Sequence, residues 1–298
     1  VKKNTQPLAE VFGHPTTDFS ERAKRYRKEK LCPFNNKVPN CTKDKAQDPL
    51  GVCSIHHAGK PVITCPVRFR EDWLITGDAA DFFFSGNAAW TSLTEVRLTD
   101  YYGKAAGNID VVLAAYDEKG KVYDFGSLEI QAVYISGNVR APFSHYMSDC
   151  ERNASMDWSS QPYFPRPDYL SSSRKRLAPQ LLFKGGILHA WKKKMAVALD
   201  SNFYETLPKL EEVKKQEAEI AWLVYDLSPN TDERNNRTSY NLKRCRVVYT
   251  RFRNSLDTIT GSRAGDVGKF TSQLQREVDK KLASPPANRT IGNPLPDN

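Results

Sequence analysis

The chain has 298 residues, 39% of them hydrophobic and 11% aromatic, with 44 Lys and Arg against 35 Asp and Glu. That length supports one large or two modest domains around a true core, and the aromatic content excludes a disordered chain. The sequence shows neither a run of about 18 apolar residues nor a charged-then-apolar leader, so a soluble, cytoplasmic protein is expected.

The excess charge is one-sided. Residues 1–169 carry 21 Lys and Arg against 21 Asp and Glu, whereas residues 170–298 carry 23 against 14. A surface basic on one side is the electrostatic footprint of a polyanion partner, nucleic acid before anionic membrane. A basic amphipathic helix with exposed bulky apolar residues, which membrane binding needs, is not evident.

Taken in chain order, residues 1–30 read as a polar arm followed by a helix over 21–30, ERAKRYRKEK, whose six cations and two anions fit a solvated face or a contact with phosphates. Cys32, Cys41, Cys53 and Cys65 follow at C-x8-C-x11-C-x11-C spacing, in a stretch broken by Pro33, Pro39, Pro49, Gly51, Gly59, Pro61 and Pro66. A segment with so little core-forming sequence needs another cross-link. Without a secretory leader, a tetrahedral thiolate site for Zn²⁺ or Fe explains the four cysteines better than disulfides do, with reduced structural cysteines as the alternative. His56 and His57 stand near Cys53 as competing ligands or exposed loop residues, and Cys150 and Cys245 read as ordinary reduced thiols. The expected division is an arm with the four-cysteine motif over 1–70 and a catalytic and DNA-binding domain over 71–298.

Phe82-Phe83-Phe84, Trp90, Leu93 and Val96 predict a helix over 81–98, which would carry Glu95. The stretch 108–136, NIDVVLAAYDEKGKVYDFGSLEIQAVYIS, predicts strands over 109–116 and 122–135, joined by a tight turn at Asp117-Glu118-Lys119-Gly120. Glu129 and Gln131 are two apart and share a strand face, so if that face receives Asp110, two carboxylates and an amide converge. Such hard oxygen ligands suit Mg²⁺, which takes one or two carboxylates and keeps water and phosphate in its other positions. The pattern is a D…ExQ variant of the PD-(D/E)XK nuclease signature, whose last position is usually Lys. A half-buried hairpin with its polar residues in solvent is the plainer alternative. Glu95 either completes the carboxylate cluster or lies on a solvated helix.

Residues 137–161 read as loop, with His145 in a structural or DNA-contacting place, and 163–170 as a connector with two prolines. Arg174, Lys175 and Arg176 follow three serines at a helix start; arginine suits bidentate contact with guanine, or the trio is a solvated helix end. Lys192, Lys193 and Lys194 are point charges better suited to phosphates. A charged helix over 208–219, a buried strand over 220–227, a strand over 245–252 and a last helix over 267–282 precede a Pro- and Asn-rich tail. Helix and strands in this order suit a mixed α/β sheet with a crossover.

The four-cysteine segment together with TEVRLTD, GNIDVVL and GSLEIQAVYISGNVR resembles the restriction endonucleases of the NotI family, cutters of GC-rich sites. The resemblance spans most of the chain from Cys32 onward. It implies a PD-(D/E)XK-type α/β nuclease core, a mixed sheet flanked by helices. It further implies iron at Cys32, Cys41, Cys53 and Cys65, Mg²⁺ held by Asp110 and Glu129 with Gln131 in the usual lysine position, and an additional acidic position at Glu95. The implied protein is a bacterial Type II restriction endonuclease acting on double-stranded DNA at a palindrome with a GGCC core and leaving 5′ overhangs. A two-fold site calls for a homodimer, one active site per strand. Gln131 is no general base, because a neutral amide has no protonation equilibrium near neutral pH; it can orient the attacking water. The proton then passes to Glu95, to a second metal-bound hydroxide or to a neighbouring phosphate. A repair or junction nuclease on the same core would share Asp110, Glu129 and Gln131. A non-catalytic DNA-binding protein would keep the cysteines and basic half without needing the carboxylates.

Overall fold

The computed structural model describes residues 5–35, 38–45, 47–232, 237–262 and 264–283. The chain divides into two compact units, residues 1–260 and 261–298. The first unit opens with a four-stranded sheet of β1 (Leu8–Val11), β2 (His14–Pro15), β3 (Val52–His57) and β4 (Lys60–Ile63), in the order β2-β1-β3-β4. The expected polar arm is therefore a buried strand from Leu8 onward, because β1 pairs on both sides and its one charged residue, Glu10, is neutralised by Arg68 at 3.0 Å. Between β2 and β3, α1 (Glu21–Lys28) forms as expected, its first turn capped by the Ser20 hydroxyl, which accepts from the Ala23 N–H.

After β4 a 3₁₀ turn (Pro66–Trp73) leads into α2 (Leu74–Phe83), and the chain then becomes β5 (Trp90–Thr99). The helix expected over 81–98 is thus a helix end, a turn at Gly86-Asn87 and a strand. Three threonines and Val96 favour the pleated edge, and the turn breaks any helical continuity. The predicted hairpin is present as β6 (Ala105–Tyr116) and β7 (Val122–Gln131). Its turn is held by Asp117 Oδ1, which accepts the N–H groups of Lys119 and Lys121, with Gly120 at φ +76°. The second strand stops at Gln131 rather than 135, since the chain peels away and the Val133 N–H donates to the Ile63 carbonyl at 3.0 Å.

From β7 the chain crosses over through β8 (Tyr134–Ser136), α3 (Arg140–Ser148), β9 (Arg166–Asp168) and a helical run over 169–190. α3 lies inside the stretch expected to be loop, because Phe143 and Tyr146, one turn apart, bury against Leu8, Val11 and Phe12. The helical run alternates α4 (Tyr169–Ser172), a π-helical segment (Ser173–Leu177), α5 (Ala178–Gln180), a second π-helical segment (Leu181–Gly185) and α6 (Gly186–Ala190). It delivers β10 (Met195–Asp200), parallel to β7, and α7 (Ser201–Glu205) follows. β11 (Ile220–Asp232), β12 (Arg237–Thr250) and α8 (Phe252–Thr260) complete the unit.

The charged helix expected over 208–219 is reduced to one 3₁₀ turn, Lys215–Glu217. That stretch runs alongside β12 instead: the Val213 N–H donates to the Tyr249 carbonyl, and Glu212 and Glu217 pair with Arg246 and Arg251. Sheet order is β12-β11-β10-β7-β6-β5, with β10 parallel to both neighbours. Along β11, Ala221, Leu223 and Tyr225 face α2 while Ile220, Trp222 and Val224 face the opposite side with Leu177, Leu181 and Phe252, so both faces of the mixed sheet are covered by helices. The second unit consists, in its described residues, of α9 (Val267–Ala283), matching the expected last helix; the tail over 284–298 lies outside the described residues. Among the described residues no helix is long and apolar enough to cross a membrane.

Candidate active site

Three carboxylates stand in a row across adjacent strands. β6 and β7 pair as far as Val111 opposite Leu128, and Asp110 and Glu129 are the next residue of each strand beyond that pair. β5 and β6 pair Thr94 with Val111 and Val96 with Ile109, and Glu95 and Asp110 lie between these two pairs and line one cavity. Glu95 accordingly comes from a strand rather than the expected helix. Its backbone is left-handed, φ +59°, a conformation that costs a non-glycine residue about 1–3 kcal/mol and clusters at functional sites. Arg70 approaches its carboxylate at 4.0 Å.

The three differ in exposure. Glu95 and Asp110 line an open cavity of about 570 Å³ together with Arg70, Ile130 and Arg176. Glu129 and Gln131 are 0% exposed, so these two polar residues of the hairpin do not face solvent. Asp110 Oδ2 accepts the Ile130 N–H at 2.8 Å, which ties it between Glu129 and Gln131. Burial pushes the Glu129 carboxyl up to about 8, the neighbouring Asp110 charge adds to this, and Lys184 opposes it. The Lys184 ammonium donates to Glu129 Oε2 at 2.6 Å and the Ser127 hydroxyl also favours the ionised carboxylate, while among the described residues Glu129 Oε1 and both amide atoms of Gln131 find no hydrogen-bond partner within bonding geometry. Buried polar atoms left open in this way are uncommon and mark a place where a ligand or ion completes the set. Two carboxylates with an open oxygen fit Mg²⁺. Among the described residues, no group of three or more His, Cys, Asp or Glu stands close enough to hold a metal by itself.

Lys184 was not singled out in the sequence, though a signal was present: one lysine inside the apolar run LLFKGGIL is out of place unless paired. It lies on the second π-helical segment, and Arg174, Lys175 and Arg176 lie on the first. Of that trio Arg176 reaches the cavity of Asp110 and Glu95, its guanidinium 5.5 Å from the Tyr134 ring centre, and Arg174 and Lys175 are exposed beside it. Lys192, Lys193 and Lys194 line a different cavity with His189 and Glu219. Lys193 pairs with Asp124 at 2.6 Å, five residues before Glu129 and hence about 16 Å along the strand from it. The structure thus separates the two basic clusters.

The cysteines do meet. Cys32, Cys41, Cys53 and Cys65 all line one cavity of about 10 Å³, although they come from two loops and β3. Burial pushes the Cys32 thiol up to about 11, with Cys65 and Cys41 adding to the rise, while the backbone N–H groups of Phe34 and Asn35 at its sulfur oppose it. Cys53 is raised by burial and then by Cys65. The donor set and common cavity fit a small thiophilic ion, though among the described residues these sulfurs do not stand close enough to form a ligand group by themselves. His56 and His57 do not line this cavity, and burial pushes the His56 imidazole down to about 4. His145 packs its ring against Trp158, centroids 5.4 Å apart.

A family model described as restriction endonuclease NotI matches residues 17–242. A search of curated proteins finds no match. The matched region holds all four cysteines, the three carboxylates, Gln131 and Lys184.

Proposed function

The chain belongs to the NotI family of Type II restriction endonucleases, and on that premise we propose that it hydrolyses double-stranded DNA at a GC-rich palindrome with a GGCC core, leaving 5′ overhangs, with Mg²⁺ held by Asp110 and Glu129. The observation that supports the site assignment is that Glu95 and Asp110 line one cavity with Arg176 while Asp110 accepts the N–H of Ile130, the residue between Glu129 and Gln131.

Bound Mg²⁺ supplies polarisation of the phosphoryl oxygen and a water acidic enough to attack near neutral pH. The chain's own groups do the rest. Asp110, fixed by the Ile130 N–H, and the open oxygen of Glu129 would hold the cation. Gln131 orients the attacking water through its unpartnered amide. Glu95, the most exposed of the carboxylates, is placed to accept a proton. Arg176 holds a phosphate at the rim, and Arg174 and Lys175 follow the groove beside it. Lys192 and Lys193 serve phosphates farther along the duplex.

The four cysteines hold iron or zinc in a structural role, because four thiolates close the coordination shell and leave no position for substrate. The metal ties the loops of residues 32–65 together. The active form is a homodimer, each copy cutting one strand of the two-fold site. The test is digestion of a mixed-sequence plasmid library in Mg²⁺ with the wild type and with Glu129→Gln, followed by sequencing of the ends. Discrete ends within one palindrome, lost in the variant and in a chelator, are expected. Scattered or structure-dependent ends would instead assign a repair or junction nuclease.

A further inference from the structure

The Glu-x-Gln motif leaves the cleavage site without the lysine that ordinarily ends this signature, yet a lysine reaches the same carboxylate from another element. Lys184 lies 53 positions beyond Gln131, on the second π-helical segment of the crossover, and its Nζ is 2.6 Å from Glu129 Oε2. Its side chain is 8% exposed and that of Glu129 is not exposed at all. Gly107 lies beside the lysine stem. It sits in β6 at φ +106°, and a Cβ there would lie 3.4 Å from Lys184 Cε.

Stability alone does not account for this lysine. An apolar side chain of similar length would fill the space between Leu181 and Gly185 without the desolvation of an ammonium and a carboxylate, which a buried pair scarcely recovers. The pair also divides the work of one carboxylate. Oε2 is taken by Lys184, while Oε1 has no hydrogen-bond partner among the described residues.

Building on the Mg²⁺ site proposed above, we propose that Lys184 is a positioning residue of the cleavage site. It supplies from the crossover the fixed positive charge that the Glu-x-Gln motif lacks, holding one oxygen of Glu129 so that only the other is offered to the metal. The lysine lies on a π-helical segment, a local widening of the helix that is frequent at functional sites. This role separates two quantities that a purely structural lysine would move together. Without the ammonium, both oxygens of Glu129 are free and one like charge near the cation is gone, so metal binds more tightly. The cation is then held in the wrong place, and cleavage slows.

The test compares wild type, Lys184→Met, Lys184→Arg and Asp110→Asn. It measures single-turnover cleavage at saturating Mg²⁺, Mn²⁺ affinity by calorimetry, cognate DNA binding in Ca²⁺ and thermal midpoint. Lys184→Met is expected to cut about 10- to 100-fold more slowly while binding Mn²⁺ at least as tightly as wild type, with DNA binding changed less than about threefold. Lys184→Arg, which keeps the charge and a donor, is expected to recover most of the rate. Lys184→Met cutting within about threefold of wild type overturns the proposal. If that variant does not fold, Lys184→Gln takes its place, since it keeps a donor without the charge, and near-wild-type cleavage by it is equally decisive against the role. Asp110→Asn cutting at the wild-type rate would remove the site assignment itself, whereas its inactivity beside an active Lys184→Met would remove Lys184 alone.

Discussion

The carboxylate of Asp110 accepts the backbone N–H of Ile130 at 2.8 Å, so the hairpin's own backbone holds the first acidic residue of the site in line with the second and with Gln131. An asparagine can accept the same hydrogen bond but offers a metal a neutral oxygen. Asp110→Asn is therefore expected to lose about 100-fold or more in cleavage while its melting midpoint moves by only a few degrees. Single-turnover kinetics and a thermal melt check this; a large drop in midpoint would mean the residue acts through the fold.

Arg176 and Arg174 are two residues apart but meet different surroundings, one at the cavity rim and the other in open solvent. Arg176→Ala is expected to weaken binding to all DNA sequences alike and to reduce the slope of log affinity against log salt by about one. Arg174→Ala is expected to act on the preference between cognate and altered sites. Salt-dependent binding to cognate and scrambled duplexes separates them; equal loss of discrimination in both variants would contradict the division.

Purified protein is expected to carry one iron or zinc per chain, lost in Cys53→Ser and Cys65→Ser together with several degrees of thermal stability. Elemental analysis of the wild type and variants decides it. A metal-free protein of normal stability would leave the four thiols as a reduced, buried cluster.

Arg68 is fully buried and bonded to Glu10 at 3.0 Å, Glu71 at 2.9 Å and the Tyr240 carbonyl at 2.8 Å, which joins the first strand to the 3₁₀ turn and to β12. Removing the cation strands the Glu10 carboxyl, which burial already pushes upward. Arg68→Ala should cost about 3–5 kcal/mol in chemical denaturation, and Arg68→Met combined with Glu10→Gln should recover part of it. A loss below about 1 kcal/mol would show the network is not structural.

Burial lowers the His56 imidazole from its ordinary 6.5 to about 4, so the folded chain keeps it neutral where the unfolded chain takes up a proton. The stability this provides is complete above pH 6.5 and is lost as pH falls through the window between 6.5 and 4. Partial exposure limits the effect to about 2 kcal/mol. Urea midpoints between about pH 7 and 5 are expected to fall in the wild type and to fall less in His56→Phe; parallel curves would exclude His56 as the cause.

The sequence by itself determined what depends on near neighbours. The β6–β7 hairpin follows from two β-rich runs and an Asp-to-Gly turn, and within it Asp110, Glu129 and Gln131 come together because their spacing is set by the strand period. The four cysteines were legible as a group for a similar reason: a stretch poor in core residues must be tied together by something. Tertiary structure decided what depends on partners far along the chain. Glu95 belongs to a strand because β6 offered it an edge, and the charged stretch before β11 gave up helix for pairing with β12, since such contacts outweigh weak propensities. Lys184 reaches Glu129 only because a right-length crossover returns the chain over the sheet face, a relation between residues 55 positions apart that no local pattern encodes.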